Sequence, residues 1–251
     1  MSDKPATPVR VFVTGSADGL GRAAAQALLD GGHRVVVHVR ADHRLEAVND
    51  LAARGAAVVV GDLASVDDTR RVAEQVNALG AMDAIIHNAG VYTAPTVLAV
   101  NIVAPYLLTA LIQPPPRLIY LSSGMHRGGR TDLERIDWSG RTTTASYSDT
   151  KLFVSALAAA VARLWPNVLS NSVDPGWVPT KMGGPRAPDD LRLGHVTQAW
   201  LATSDAVEAR TTGGYWHHQR RVKAHPAVHD ERFQSQLLDQ LARATGTPLP
   251  R

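Results

Sequence analysis

The chain has 251 residues, enough for one large α/β core, and no cysteine, which excludes disulfides, thiolate metal sites and cysteine nucleophiles. Its 26 Lys and Arg against 23 Asp and Glu leave a formal charge of +3 with no basic stripe, which argues against a nucleic-acid partner. With 45% apolar and 20% charged residues, the composition is that of an ordinary globular protein and not of a disordered one.

Residues 1–8 read as a disordered tail, and their sequence, MSDKPATP, carries neither an apolar nor an Arg-rich leader, so the cytoplasm is the expected compartment. Val9 to Val13 is a β-branched run and predicts the first strand. A Gly-rich stretch, Thr14 to Gly21, follows, and the Ala- and Leu-rich segment Arg22 to Leu29 predicts a helix that stops at Gly31 and Gly32. The unit recurs, with strands at 34–39 and 56–60 and helices at 44–53 and 67–79. Further strands are expected at 84–87, 117–121 and 169–173, with helices at 101–111 and 146–164. The longest apolar stretch, Leu152 to Trp165, carries Ser155 and Arg163 and falls short of the roughly 18 residues a membrane span needs. Short apolar strands alternating with helices require right-handed crossovers, so the expected fold is α/β: a single Rossmann-type doubly wound parallel sheet with helices on both faces. One dinucleotide-binding domain covers 1–251 in this reading. Residues 184–251 supply its substrate-side loop and C-terminal helices, near 191–203 and 230–244, because neither could bury a core alone.

The Gly-rich stretch Thr14-Gly15-Ser16-Ala17-Asp18-Gly19-Leu20-Gly21 lies between the first strand and first helix. There the free N–H groups of a helix start attract a pyrophosphate and glycines let it approach the backbone. Tyr147 and Lys151 stand four apart and so share one helix face. A phenol titrating near 10 is a poor acid or base at neutral pH, but an ammonium within about 4 to 6 Å favours the phenolate, so Tyr147 could exchange a proton with a carbonyl or alcohol oxygen. His217, His218, His225 and His229 look clustered, but Pro226 interrupts any helix that would align them, and no metal site is expected.

Three residues separate Gly15 from Gly19, a spacing that resembles the short-chain dehydrogenase/reductase family, and the family's other motifs follow in order. His87-Asn88-Ala89-Gly90 stands where the family has NNAG, Ser123 follows the strand that ends in Tyr120-Leu121, Tyr147 to Lys151 matches YxxxK, and Asp174-Pro175-Gly176 leads to Thr180. The resemblance covers residues 9 to about 185 and implies an oxidoreductase acting on CH–OH or C=O groups. Its catalytic set would be Tyr147, Lys151, Ser123 and Asn101, with Lys151 also holding the nicotinamide ribose, Ser123 orienting the substrate oxygen and Asn101 holding a relay water. Ser122 is the competitor for the serine role. The same resemblance implies a cofactor site built from Gly15, Ser16, Asp18, Gly19, Leu20, Gly21, Asn88, Ala89 and Gly90. Asp62 and Leu63 would lie at the adenine, and Pro175, Gly176, Val178 and Thr180 at the nicotinamide end.

Cofactor choice turns on the end of the second strand, His38-Val39-Arg40. No acid is present there to take a ribose 2′-hydroxyl, while Arg40, with Arg44 in support, can pair with a 2′-phosphate. NADP(H) is therefore expected over NAD(H), with Asp18 standing against it.

The segments from Gly90 to Asn101 and from Asn101 to Ser123 are short for the family. That shortening weakens the expectation of a homodimer or homotetramer through these helices, keeps a monomer open beside it and leaves the placement of Asn101 open. The longer stretch from Ser123 to Tyr147, together with Gly213 to Trp216, is closest to the retinol-dehydrogenase-like and WW-domain-oxidoreductase-like members and to polyketide ketoreductases. Trp138, Trp177 and Met182 are candidates for an apolar wall around a small to medium ketone, aldehyde or polyketide-like carbonyl, and each fits a place in the core equally well. A catalytically silent NADP(H) sensor is the rival reading, but it has no need for a Ser, Tyr and Lys set. A sugar-nucleotide epimerase fits poorly, since those relatives carry a different loop spacing and an extra domain.

Overall fold

The computed structural model describes residues 7–93, 95–139 and 142–250, so most of the expected N-terminal tail, residues 1–6, lies outside the described residues. Seven strands, β1 (Arg10–Val13), β2 (Arg34–Val39), β3 (Ala57–Val60), β4 (Ala84–His87), β5 (Arg117–Leu121), β6 (Leu169–Asp174) and β7 (Tyr215–His217), run parallel, and β8 (Arg220–Arg221) returns antiparallel along β7. The order is β3-β2-β1-β4-β5-β6-β7-β8. β1 therefore has β2 on one side and β4 on the other, and the chain reverses direction across the sheet at that point. A crevice opens outside the carboxyl ends of strands where such a reversal occurs.

Both faces of the sheet are covered, which is why the strands read as continuous apolar runs. Val11, Val13, Val35 and Val37 join one buried cluster, which includes Ala25 and Leu28 of α1 (Gly19–Asp30), Leu51 of α2 (Asn49–Ala53) and Leu201 of α6 (Val196–Thr203). Phe12, Val36, Ile85 and Leu118 join a second, which includes Val72 of α3 (Val66–Ala78), Leu107 of α4 (Ala104–Leu111), Phe153 of α5 (Tyr147–Leu164) and Leu237 of α7 (Glu231–Thr245). Among the described residues no helix is long and apolar enough to cross a membrane. The fold is a doubly wound Rossmann-type sheet, as the alternating pattern predicts.

Several elements differ from expectation. The segment expected as one helix at 44–53 is a 3₁₀ stretch, Asp42–Val48, followed by the short α2. The helix expected from Leu191 begins only at Val196, because Asp190 to His195 is spent on turns. β7 and β8 were not expected at all: a three-residue strand beside a glycine pair is too short to show a period, and only its pairing with Ser172 to Asp174 makes it a strand.

Candidate active site

The crevice between β1 and β4 is closed at its base by polar groups that tie the two following loops together. The Thr14 hydroxyl accepts from the Ala89 N–H at 2.9 Å, and the Asn88 amide donates to the Thr14 carbonyl at 2.9 Å. Gly15 holds φ +68°, a left-handed conformation that glycine adopts without strain. Gly21 meets a harder limit, since a Cβ there would lie 2.3 Å from the Asn88 amide nitrogen and 2.4 Å from the Gly15 oxygen. The glycine spacing is thus a packing requirement that seats the α1 N-terminus directly on the loop.

Asp18 caps α1 by accepting from the Gly19 N–H at 2.9 Å, and it pairs with Lys181, which holds its carboxyl below the usual range. The charge of Arg44 acts in the same direction. The acid that stood against a 2′-phosphate is therefore ionised and paired at the surface with Lys181. Arg40 stands exposed at the end of β2. Ser16 is fully buried, its hydroxyl donating to the Val13 carbonyl and accepting from the His38 N–H, so this hydroxyl shapes the turn and does not reach toward a ligand. Leu63 likewise turns into the core and offers only its main chain. Asp62 is exposed and uses one carboxylate oxygen to accept from the Ala64 N–H at 2.9 Å. Leu20 lies against Gly194, ahead of α6.

The loop after β6 folds over this wall. The Gly176 N–H donates to the Asp174 carboxylate at 3.1 Å, Val178 is buried against Gly194, and the methyl of Thr180 faces Gly19. Pro175 is half-buried between them. With Lys181 on Asp18, these residues bridge the crevice from one side to the other.

Tyr147 begins α5 because Ser146 and Asp149 cap one another's backbone, a reciprocal box that fixes the first turn. Arg130 grips the same Asp149 carboxylate at 2.8 Å. One turn on, Lys151 is buried, donates to the Leu121 carbonyl at 2.7 Å and places its ammonium 5.5 Å from the Tyr147 ring centroid. Burial pushes Lys151 down to about 8. Burial also pushes the Tyr147 phenol up to about 12, against the pull of its hydrogen bond with the Ser123 hydroxyl. The expected lowering of the phenol by the ammonium is therefore corrected: desolvation of the phenol dominates, and the charges of Asp174 and Tyr92 act in the same direction.

The two serines divide clearly. Ser122 is buried, donates to the Lys151 carbonyl at 3.1 Å and accepts from Ser155 at 2.7 Å. Ser123 is half-buried, reaches Tyr147 and accepts from the Met125 N–H at 3.2 Å. Asn101 sits on a π-helical turn, Ala99–Val103, whose wider winding carries it inward despite the shortened segments on either side. Its amide accepts from the Val91 N–H at 2.8 Å and donates to the Val91 carbonyl at 2.9 Å and the Thr150 hydroxyl at 3.0 Å. A Cβ on Gly90 would lie 3.5 Å from both the Asn101 amide oxygen and the Lys151 ammonium, so these two groups flank the same glycine. The asparagine therefore stands next to Lys151, but its side chain is occupied in holding the loop after β4.

His87, where the family motif has Asn, is a core residue: it stacks on Tyr120 at 4.6 Å, bonds the Thr109 hydroxyl at 3.3 Å, and burial pushes it down to about 3. Of the candidates for an apolar wall, Trp138 is partly buried and packs against the core, its ring 6.0 Å from that of Phe153, whereas Trp177 and Met182 are exposed. The sequence reading missed Tyr92 and Met125, both exposed. The Tyr92 ring lies 4.9 Å from that of Tyr147. Each stands two residues beyond a motif glycine or serine, the only signal that could have found it.

Residues 10–115 match the model of the short chain dehydrogenase family. A short-chain dehydrogenase of Penicillium rubens is 37% identical over 256 residues, covering 96% of this chain and 99% of its own. An uncharacterized oxidoreductase of Emericella nidulans is 38% identical, with 96% and 99% covered. Among solved structures, a blue fluorescent protein from a metagenomic library, in complex with NADPH, superposes with a TM-score of 0.68 at 22% identity, over 85% of this chain and 97% of that one.

Proposed function

The chain belongs to the short-chain dehydrogenase/reductase family, and from that premise we propose that it is an NADP(H)-dependent carbonyl reductase working as one domain. The observation that carries this reading is the meeting of the Tyr147 and Ser123 hydroxyls and the Lys151 ammonium beside the Gly-rich crevice. The residues present fit a dinucleotide: the α1 N-terminus and the Gly15 turn would take the pyrophosphate, Arg40 a 2′-phosphate, Asp62 the adenine edge and Lys151 the nicotinamide ribose. When bound, the nicotinamide supplies or accepts the hydride. Ser123 holds the substrate oxygen by a hydrogen bond. Tyr147 donates its proton to that oxygen in reduction and recovers one from solvent through the Lys151 side. A phenol pushed up to about 12 is protonated at neutral pH, loaded as the acid that reduction needs. Asn101 keeps the loop after β4 and the first turn of α5 in register around this set.

On the substrate side, Tyr92, Met125, Trp177 and Met182 offer apolar contact area, which supports an apolar carbonyl compound. A monomer is supported by α7 and the residues after it. Phe233 and Leu237 pack with α5, the Tyr106 hydroxyl of α4 donates to the Thr247 carbonyl, and Arg70 of α3 donates to the Thr245 carbonyl. This covers helix faces otherwise free to meet a second copy, and light scattering should return 26.8 kDa.

The test is thermal unfolding with NADPH and, separately, NADH. At 100 times the dissociation constant a ligand of the folded state adds about 2.7 kcal/mol, which raises the midpoint of a chain this size by roughly 5 to 11 °C. A shift with NADPH and little with NADH supports the reading; the reverse overturns the cofactor preference, and no shift with either overturns the dinucleotide site.

A further inference from the structure

His38 is a buried, titratable side chain for which the chemistry above has no use. It lies next to the end of β2, with 2% of its surface exposed, and both ring nitrogens are engaged. Nδ1 accepts from the Gly15 N–H at 3.0 Å, and Nε2 lies 2.8 Å from the Gly61 carbonyl oxygen. A carbonyl only accepts, so Nε2 carries the hydrogen and Nδ1 presents its lone pair; the two contacts specify a single neutral tautomer. Burial opposes protonation, and the Asp62 carboxylate acts against it only as a smaller influence.

The backbone of the same residue is held just as tightly. Ser16 donates its N–H to the His38 carbonyl at 3.0 Å, and its hydroxyl accepts from the His38 N–H at 3.1 Å. One residue thus ties together the carboxyl ends of β1, β2 and β3, the last through Gly61, whose own N–H donates to the Val39 carbonyl at 3.1 Å. Gly15 has left the sheet and turned into φ +68°, where no strand partner fixes its N–H, so the imidazole does what a ladder hydrogen bond would do inside a strand.

We propose that His38 is a positioning residue of the cofactor site: its Nδ1 takes the Gly15 N–H and fixes the turn that would meet the pyrophosphate, while the Nε2 contact with the Gly61 carbonyl holds the ring in the orientation and tautomer that this bond needs. This rests on the dinucleotide reading above. Removing the ring leaves the Gly15 N–H and the Gly61 carbonyl without their partner and frees the loop to change its aim, which weakens nucleotide binding without touching the reacting groups.

The experiment is a fluorescence titration of the full chain with NADPH, comparing wild type with His38→Ala, His38→Gln and His38→Asn. An Asn amide oxygen occupies the place of Nδ1 and keeps the Gly15 bond. A Gln amide reaches the place of Nε2 and leaves the Gly15 donor bare. Leaving a buried donor unpaired predicts that His38→Ala and His38→Gln weaken NADPH binding by about tenfold or more, while His38→Asn stays within about threefold of wild type. A role in folding alone would give Gln and Asn the same affinity, and that result overturns the proposal, as does wild-type affinity in all three. Wild type that binds neither NADPH nor NADH sinks the dinucleotide reading and this inference with it, whereas wild-type binding with equal Asn and Gln variants sinks the inference only.

Discussion

The two walls of the crevice are made differently. On one side, the loops after β1, β2 and β4 are locked to each other by backbone and buried polar groups: Thr14 to Ala89, Asn88 to Thr14, His38 to Gly15 and Gly61. On the other, the loops after β5 and β6 present Met125, Trp177 and Met182 to solvent, with Tyr92 at the junction of the two sides. Hydrogen-bonded backbone in left-handed or close-packed geometry tolerates few residue types, so the first wall is narrow in sequence and suited to one invariant ligand. Exposed apolar side chains on loops tolerate many, so the second wall can be reshaped for different substrates without disturbing the first.

The sharpest way to separate the walls from the chemistry between them is Tyr147→Phe. Loss of a proton-transfer group costs about 10² to 10⁴ in turnover. NADPH binding should stay within about twofold, because the phenol hydroxyl is absent from the hydrogen bonds that shape the first wall. Steady-state assays on a panel of aldehydes, ketones and quinones, paired with the NADPH titration, check both halves, and substantial residual turnover would remove Tyr147 from the proton step.

The rigidity of the first wall continues into the sheet beneath it, and pH tests that. His87 is held near 3 against an ordinary 6.5, so below pH 6.5 the unfolded chain binds a proton that the folded chain refuses. Stability contributed by the neutral ring is therefore complete above about pH 6.5 and declines as pH falls toward about 3, by as much as about 4 to 5 kcal/mol. Urea unfolding of wild type and His87→Asn from pH 7 to 4 should show a smaller decline in the variant; parallel declines would mean that other groups drive the acid sensitivity.

Arg40→Ala probes the outer end of the same wall. Deleting a charge-assisted contact to a 2′-phosphate should weaken NADPH by roughly 10- to 100-fold and leave NADH within about twofold. Equal losses for both nucleotides would place Arg40 elsewhere.

The smallest expected effect lies on the permissive wall. Tyr92→Ala should lower kcat/KM for aryl ketones by about 2- to 10-fold relative to alkyl ketones of similar size, the amount an aromatic contact contributes. A uniform change across both classes would make Tyr92 a support for Tyr147 and not a substrate contact.

Much of this was legible in the residues themselves. Apolar strands spaced by helices require a doubly wound sheet, and helix geometry puts Tyr147 and Lys151 on one face, while the glycine spacing and the role of Ser123 were read from the resemblance to the family. Tertiary structure decided the rest, wherever partners distant in sequence set the outcome. Desolvation sent the Tyr147 phenol up, although Lys151 stands one helical turn away. A π-helical turn restored Asn101 beside Lys151 across a shortened loop. Trp138 packs against Phe153 and the core while the exposed Tyr92 ring lies against Tyr147, a division that depends on what packs against each. His38, to the sequence only a strand-end residue, acquired two backbone partners 23 positions away on either side. Spacing along the chain fixes which groups lie one turn or one strand step apart, while burial and long-range hydrogen bonds exist only once the sheet has brought those groups together.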